Sequence, residues 1–136
     1  MSIHQILQPE GWPRPKGYAN GIAANGTMVF TAGLVGWTAD EIFEAADLVG
    51  QLRQTLVNTV AVLAEAGAGP EHIVRMTWYI TDKADYKANQ AAIGKVWREV
   101  MGRVYPAMAC VEVVALIEDA AKIEIEATAV IPQAQA

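Results

Sequence analysis

The sequence predicts an α+β fold in which two amphipathic helices cover one face of a single mixed sheet. Apolar residues recur at helical spacing in two long segments and alternate every second residue in several shorter ones. These segments follow one another as strand, strand, helix, strand, helix, strand, strand. The chain has 136 residues, of which 53% are hydrophobic, so we expect one compact domain spanning residues 1–136.

The first two strands are predicted on either side of the dipeptide Asn25-Gly26. Apolar residues fill positions 22–24 before it and dominate positions 27–32 after it. Asn-Gly between two apolar runs is a strong signal for a tight β-hairpin turn. We therefore expect the two segments to pair with each other as a hairpin.

Two helices are predicted from apolar residues spaced three or four apart. The first helix places four leucines on one side, Leu48, Leu52, Leu56 and Leu63. Asp47 is its candidate N-cap and Gly67 its stop. The second helix can be capped by Thr81-Asp82, continues to Met101 and ends before Gly102.

Three further strands are predicted at residues 73–80, 107–117 and 122–131. The segment 107–117 is apolar at nearly every position, so both of its faces should be buried. Because two helices on one side of a sheet cover only that side, a second surface must bury the other. A neighbouring subunit is the economical candidate, and we predict an obligate homo-oligomer.

Charge and composition argue against several classes of function. The formal net charge is −5 and no run of Lys or Arg is present, which disfavours nucleic-acid binding. One cysteine and two histidines show no metal-ligand spacing, so no metal is expected. The first residues resemble neither a signal peptide nor a membrane helix, and we expect a cytoplasmic protein without membrane contact. The short uncharged tail after Ile131 is expected to fray.

Several scattered segments resemble the Rid (YjgF) family of imine and enamine deaminases, over a region from about Lys16 to Ile131. The segments that match are 17–21, 29–33, 105–107, 110–113 and 122–127. The resemblance implies a chorismate-mutase-like fold and a homotrimer with a barrel-like core of sheets. It also implies small-molecule sites in the clefts between subunits. Family deaminases hydrolyse an imine or enamine to a 2-oxo acid and ammonia, without a cofactor.

The resemblance also implies the roles of individual residues. Glu124 would orient the attacking water and is the candidate catalytic residue. The candidate substrate-binding positions are Tyr18, Gly33, Asn89, Met108 and Cys110. Met108 stands where the deaminases have the arginine that binds the substrate carboxylate. Hydrogen-bonding groups common in the family are also absent at Ala32, Leu34 and Ala109, which indicates a pocket suited to a less polar ligand.

Each candidate also has a purely structural interpretation. Glu124 satisfies ordinary strand alternation, as Glu126 does. Cys110 has no evident histidine partner and is better explained as a small apolar residue than as a nucleophile. Met108 fits a core methionine as well as a pocket wall, and Tyr18 lies in a loop where an aromatic side chain can cover either core or cleft.

Four other cations are candidates to replace the missing arginine. They are Arg14, Lys16, Arg75 and Arg103. Surface solvation or a structural ion pair is the better explanation of each of them, and Arg75 is the least weak candidate because its face points toward the predicted subunit interface. Trp12 and Trp37 lie in loops where they could cover a cleft, whereas Trp78 and Trp97 are predicted in the core or an interface.

The sequence leaves two functions open. The first is a Rid-type hydrolase with altered substrate preference, and the second is a non-catalytic trimer that binds a small metabolite or a protein partner. A ribonuclease is disfavoured by the negative charge and the missing basic patch. A chorismate mutase is disfavoured because a dicarboxylate substrate needs arginines that the candidate pocket does not supply.

Overall fold

A computed structural model describes residues 3–133, so the expectation that the tail frays falls largely on residues outside that range. The strands are β1 (Gln5–Leu7), β2 (Gly21–Ala23), β3 (Gly26–Phe30), β4 (Leu34–Val35), β5 (Ile73–Ile80), β6 (Ala107–Glu112) and β7 (Ile123–Pro132). The helices are α1 (Leu48–Ala64), α2 (Lys83–Ala88) and α3 (Gln90–Met101), and a 3-10 turn (Pro70–His72) precedes β5.

The main sheet is organised around β7, which has three partners. It pairs antiparallel with β3, β4 and β5, while β6 pairs parallel with β5 at the opposite edge. Parallel neighbours need a crossover connection, and α2 and α3 provide it between β5 and β6. The predicted α+β fold with a mixed sheet is confirmed. β1 and β2 form a separate two-stranded sheet that the prediction of a single sheet did not include.

The hydrophobic core lies between one face of this sheet and the helices α1 and α3. The helices contribute Leu48, Leu52, Leu56, Leu63, Ile93, Val96, Trp97 and Met101. The sheet contributes alternate residues of β5 and β7, namely Met76, Trp78, Ile80, Ile123, Ile125, Ala127 and Ala129. Both helical and strand periodicities therefore point to the same core, as predicted. The Asp47 cap is also confirmed, since its carboxylate accepts a hydrogen bond from Gly50 N at 3.1 Å.

The buried amide of Gln51 joins α1 to the segment that leads into β7. Its Nε2 donates to Ala45 O at 3.1 Å and to Ala120 O at 2.9 Å. Its Oε1 accepts from Lys122 N at 2.7 Å. The side chain is 1% exposed, so these bonds satisfy a polar group that would otherwise be costly to bury.

The second predicted helix is two helices. Asp82 caps α2 as predicted, accepting from Asp85 N at 3.0 Å. The backbone then leaves helical geometry at Asn89, with φ −117° and ψ 19°. The side-chain nitrogen of Asn89 donates to Asp85 O at 2.8 Å and to Asp85 Oδ1 at 2.9 Å. An asparagine that bonds to local groups in this way favours a helix boundary over a helix interior.

The predicted hairpin at Asn25-Gly26 is wrong. β2 pairs with β1, and β3 pairs with β7, with Gly26 opposite Pro132. A Cβ on Gly26 would lie 1.9 Å from Ile131 O, and the residue has φ +152°. The glycine is therefore required for close approach to β7, and the local Asn-Gly signal does not produce a two-residue turn.

The sheet face opposite the helices is open in the protomer. Met28 and Phe30 of β3 lie on this face and are 58% and 65% exposed. β6 is shorter than predicted, since it ends at Glu112, and Ile117 beyond it is 94% exposed. The prediction that residues 107–117 form one strand buried on both sides is therefore wrong within a protomer. The predicted homo-oligomer stays a prediction.

Candidate functional site

A cavity of about 510 Å³ lies between the outer edge of β6, the helices α2 and α3, and the loop that precedes Ala19. Three of the predicted site residues line it: Tyr18, Met108 and Cys110. The volume is within the range of small-molecule sites. The structure thus brings together half of the residues that the family resemblance singled out.

Tyr18 reaches the cavity because its loop is joined to the start of β6. Ala19 N donates to Pro106 O at 2.9 Å, and Ala19 forms a parallel bridge with Ala107. Gly17 has φ +82°, a conformation that side-chain-bearing residues rarely adopt. The backbone turn at Gly17 and the pairing of Ala19 place the intervening tyrosine beside Met108.

Aromatic side chains form much of the cavity wall. They are Tyr18, Trp78, Tyr86, Trp97 and Tyr105. The Trp78 and Trp97 rings lie 5.9 Å apart between centroids, tilted by 41°, a favourable geometry for aromatic pairs. The sequence predicted these two tryptophans as core or interface residues and proposed Trp12 and Trp37 as cleft covers. Trp37 instead packs against Phe43, with ring centroids 5.7 Å apart.

The two indole nitrogens of this pair differ in their hydrogen bonding. Trp97 Nε1 donates to Val104 O at 2.9 Å. Trp78 Nε1 is buried and has no hydrogen-bond partner among the described residues. Indole N–H is only a donor, and a buried donor normally finds an acceptor. Trp78 is therefore an exception to this rule, and it is also one of the residues that line the cavity.

Two cations, Lys16 and Arg98, line the cavity beside Met108. Lys16 was among the candidates from sequence, but Arg98 was not. A Cβ on Gly94 would lie 3.3 Å from an Arg98 terminal nitrogen, so this glycine, one helical turn earlier, leaves room for the guanidinium. None of the residues that line the cavity, within the described range 3–133, is Asp or Glu.

The Cys110 thiol faces the Tyr86 hydroxyl within the cavity. Although Cys110 as a residue is exposed, partial desolvation of the thiol raises its pKa, and the hydrogen bond to Tyr86 opposes this shift. The pKa of Tyr86 is raised as well, first by burial and then by Cys110. Both groups are therefore neutral near pH 7, and the expectation of a neutral thiol agrees with this environment.

Glu124 and Gly33 lie together on the opposite face of the sheet. Ile123 and Ile125 point into the core, so the intervening glutamate projects away from the helices. A Cβ on Gly33 would lie 2.6 Å from Glu124 Oε2. Met108, by contrast, packs against the core on the helix side. Within one protomer, the candidate catalytic carboxylate and the candidate binding residue Met108 are separated by the sheet.

The remaining predicted residues also lie away from the cavity. The side-chain nitrogen of Asn89 bonds to Asp85, and Gln90 beside it lines the cavity instead. Arg75 is on the Glu124 face, in a separate depression of about 250 Å³ that includes Glu126. Arg14 and Arg103 are exposed and are not among the cavity-lining residues. Position in the fold therefore favours Lys16 and Arg98 over Arg75 as the cations beside Met108.

A sequence model of the family described as Endoribonuclease L-PSP matches residues 13–131. The chain belongs to this family, the Rid/YjgF family, and the resemblance seen in the sequence is confirmed. A RutC family protein of Synechocystis is 37% identical over 131 residues, covering 94% of this chain and 97% of the relative. The 2-iminobutanoate/2-iminopropanoate deaminase of Salmonella typhimurium is 36% identical over 105 residues, covering 77% and 80% of the two chains.

Two solved structures show the same fold. The Rid-family protein YyfB of Yersinia pestis, described as of unknown function, superposes with a TM-score of 0.83 at 31% identity and covers 94% of this chain and 98% of its own. Escherichia coli TdcF with bound serine superposes with a TM-score of 0.66 at 32% identity, covering 93% and 98%. Within residues 3–133, no helix is long and apolar enough to cross a membrane.

The raised pKa of Cys110 predicts slow alkylation near neutral pH. The rate with iodoacetamide should be below that of a free cysteine at pH 7.5 and should rise at higher pH, because only the thiolate reacts. Tyr86→Phe removes the hydrogen bond that lowers the pKa, so its alkylation curve should move to still higher pH. Mass spectrometry of the single cysteine gives the rate directly. A wild-type curve whose midpoint lies at or below the midpoint pH of free cysteine contradicts the prediction.

Proposed function

We propose that this chain is a Rid-type hydrolase of imines or enamines whose substrate preference differs from that of the arginine-bearing deaminases. Water would add to the carbon of the C=N bond, and collapse of the adduct would release ammonia and leave a carbonyl compound. Family membership supports the class of reaction. The absence of an arginine at Met108 supports the difference in substrate.

The observation that supports catalysis most directly is the placement of Glu124 against Gly33. A carboxylate can accept a proton from an attacking water and return it to the leaving nitrogen. Any side chain at position 33 would meet the Glu124 carboxylate, whose Oε2 would lie 2.6 Å from the added Cβ. The glycine therefore leaves room for the Glu124 carboxylate against the backbone at position 33 and fixes where a general base would lie.

We propose further that the complete site forms between two copies of the chain in a cytoplasmic homotrimer with a barrel-like core. Glu124 and Met108 lie on opposite faces of the sheet, so a site that uses both needs a second protomer. Met28, Phe30 and Val111 are exposed large apolar residues, and Phe30 lies on the Glu124 face. Covering such a face is a common reason for assembly.

A second candidate is a non-catalytic member that binds a small metabolite. One observation favours this candidate. Aromatic rings and hydrogen-bond donors line the cavity, and no Asp or Glu of the described residues does so. Such a cavity can hold a ligand without any contribution from Glu124. The two candidates differ in whether Glu124 matters to turnover.

Glu124→Gln should lower the rate of imine hydrolysis by at least about 100-fold, because an amide cannot act as the general base. The matched control is Glu126→Gln on the same strand and face, where the carboxylate accepts a hydrogen bond from Tyr79 at 3.0 Å. The control should keep the wild-type order of magnitude. Formation of the carbonyl product from a panel of freshly generated imines measures both. Equal losses in the two variants, or turnover by Glu124→Gln, would exclude the catalytic role.

Met108→Arg should raise turnover of 2-iminopropanoate by about 100-fold, since a desolvated arginine–carboxylate contact is worth about 2–5 kcal/mol. Met108→Leu is the neutral control and should behave as wild type. Pyruvate formation from freshly generated imine is the readout. If the wild type already matches the Salmonella typhimurium deaminase, Met108 has not altered substrate preference.

Phe30→Glu should dissociate the assembly, because it would bury a charge in the proposed contact between copies. Val62→Glu is the matched control, as Val62 is also exposed but lies on α1. Sedimentation velocity should give a trimer for the wild type and the control, and smaller species for Phe30→Glu. A wild-type monomer at micromolar concentration would rule out the intersubunit site.

A further inference from the structure

We propose that the cavity beside Met108 binds a planar aromatic anion, with Arg98 and Lys16 holding the anionic group between the aromatic side chains of the wall. This inference rests on the proposed function in one respect, since it names the class of substrate or product for that site. The binding itself needs only the residues of the cavity.

The shape of the wall selects a flat, apolar body. Five aromatic side chains surround a volume of about 510 Å³, which suits a ligand of one or two rings. Met108 adds a polarisable apolar surface where an arginine would add a charge. Offset and edge-to-face contacts with these rings favour an aromatic ligand over an aliphatic one of similar size.

The charges of the wall select an anion. Lys16 and Arg98 line the cavity, and no acidic residue of the described range accompanies them. The adjacent Glu99 is bound by Arg53 from α1. Arg98 itself makes no salt bridge within residues 3–133. The Arg98 guanidinium presents several donors in a plane, which matches a carboxylate.

Arg98 thus lies near the position vacated by the missing arginine, on a helix instead of a strand. A carboxylate held from α3 leaves the β6 side of the cavity apolar. Ligands that carry an aromatic ring next to the carboxylate fit this arrangement.

The test is calorimetric titration with three probes of matched size: 2-naphthoate, the neutral 2-naphthamide and the non-aromatic decahydronaphthalene-2-carboxylate. Wild type should bind 2-naphthoate at least about tenfold more tightly than either of the others, with weaker binding at high salt. Arg98→Gln should weaken 2-naphthoate about tenfold and leave 2-naphthamide unchanged. Arg103→Gln, an exposed cation outside the cavity, is the matched control and should have no effect.

Gly94→Ala, which adds a methyl group to the cavity wall 3.3 Å from an Arg98 terminal nitrogen, is the second variant and should weaken 2-naphthoate more than Arg103→Gln does. No binding of 2-naphthoate, equal binding of 2-naphthamide, or equal effects of Arg98→Gln and Arg103→Gln would overturn the proposal.

Glu124→Gln separates this inference from the proposed function. It should lower turnover by at least about 100-fold while 2-naphthoate still binds, because the cations and rings proposed to hold the anion line the cavity and Glu124 of the same protomer does not. Binding without any imine turnover in the wild type would refute the hydrolase and support the aromatic-anion site. Turnover of imines without 2-naphthoate binding would support the hydrolase and refute the aromatic-anion site.

Discussion

The hydrogen bonds of the buried Gln51 amide hold the segment that leads into β7 against α1, and the candidate carboxylate lies at the start of that strand. Its Oε1 accepts from Lys122 N, the last residue before β7, while its Nε2 holds Ala120 O. Strand side chains alternate between faces, so a fixed start determines which residues face the helices. With this register, Ile123 and Ile125 enter the core and Glu124 projects from the other face. A slip of one residue would bury the carboxylate and expose the isoleucines, which makes the register costly to change.

Much of the fold was predictable because its core follows simple periodicities. The leucines of α1 and the alternating isoleucines of β7 define one apolar surface each, and Asp47 and Asp82 mark helix starts through local hydrogen bonds. The Asn25-Gly26 turn was not predictable from the same kind of signal. Gly26 is fixed by the backbone of β7, about a hundred residues away along the chain, and such a contact has no local signature. The helix boundary at Asn89 was not predicted because the helical spacing of apolar residues continues through it.

The candidate site was only half predictable, for a physical reason. Tyr18, Met108 and Cys110 were found through family resemblance, and the fold brings them together. Arg98 was missed because a basic residue on an amphipathic helix normally faces solvent, and its sequence environment shows nothing else. Only the packing of α3 beside β6 places it near Met108. Gly94 is the one local clue, since it removes the side chain that would crowd the guanidinium, and a glycine inside a helix costs about 1 kcal/mol relative to alanine.

The titration of Cys110 and Tyr86 bears on which ligands the cavity can accept. Burial raises the pKa of both groups, so neither becomes anionic near pH 7. Were either pKa lowered instead, a thiolate or phenolate would stand beside the ligand and repel its carboxylate. The neutral pair leaves Lys16 and Arg98 as the charged groups among the described residues that line the cavity. A nucleic acid would meet the same two cations, but the net charge of −5 supplies no wider basic surface for its other phosphates. The electrostatics therefore suit a single small anion better than a polymer.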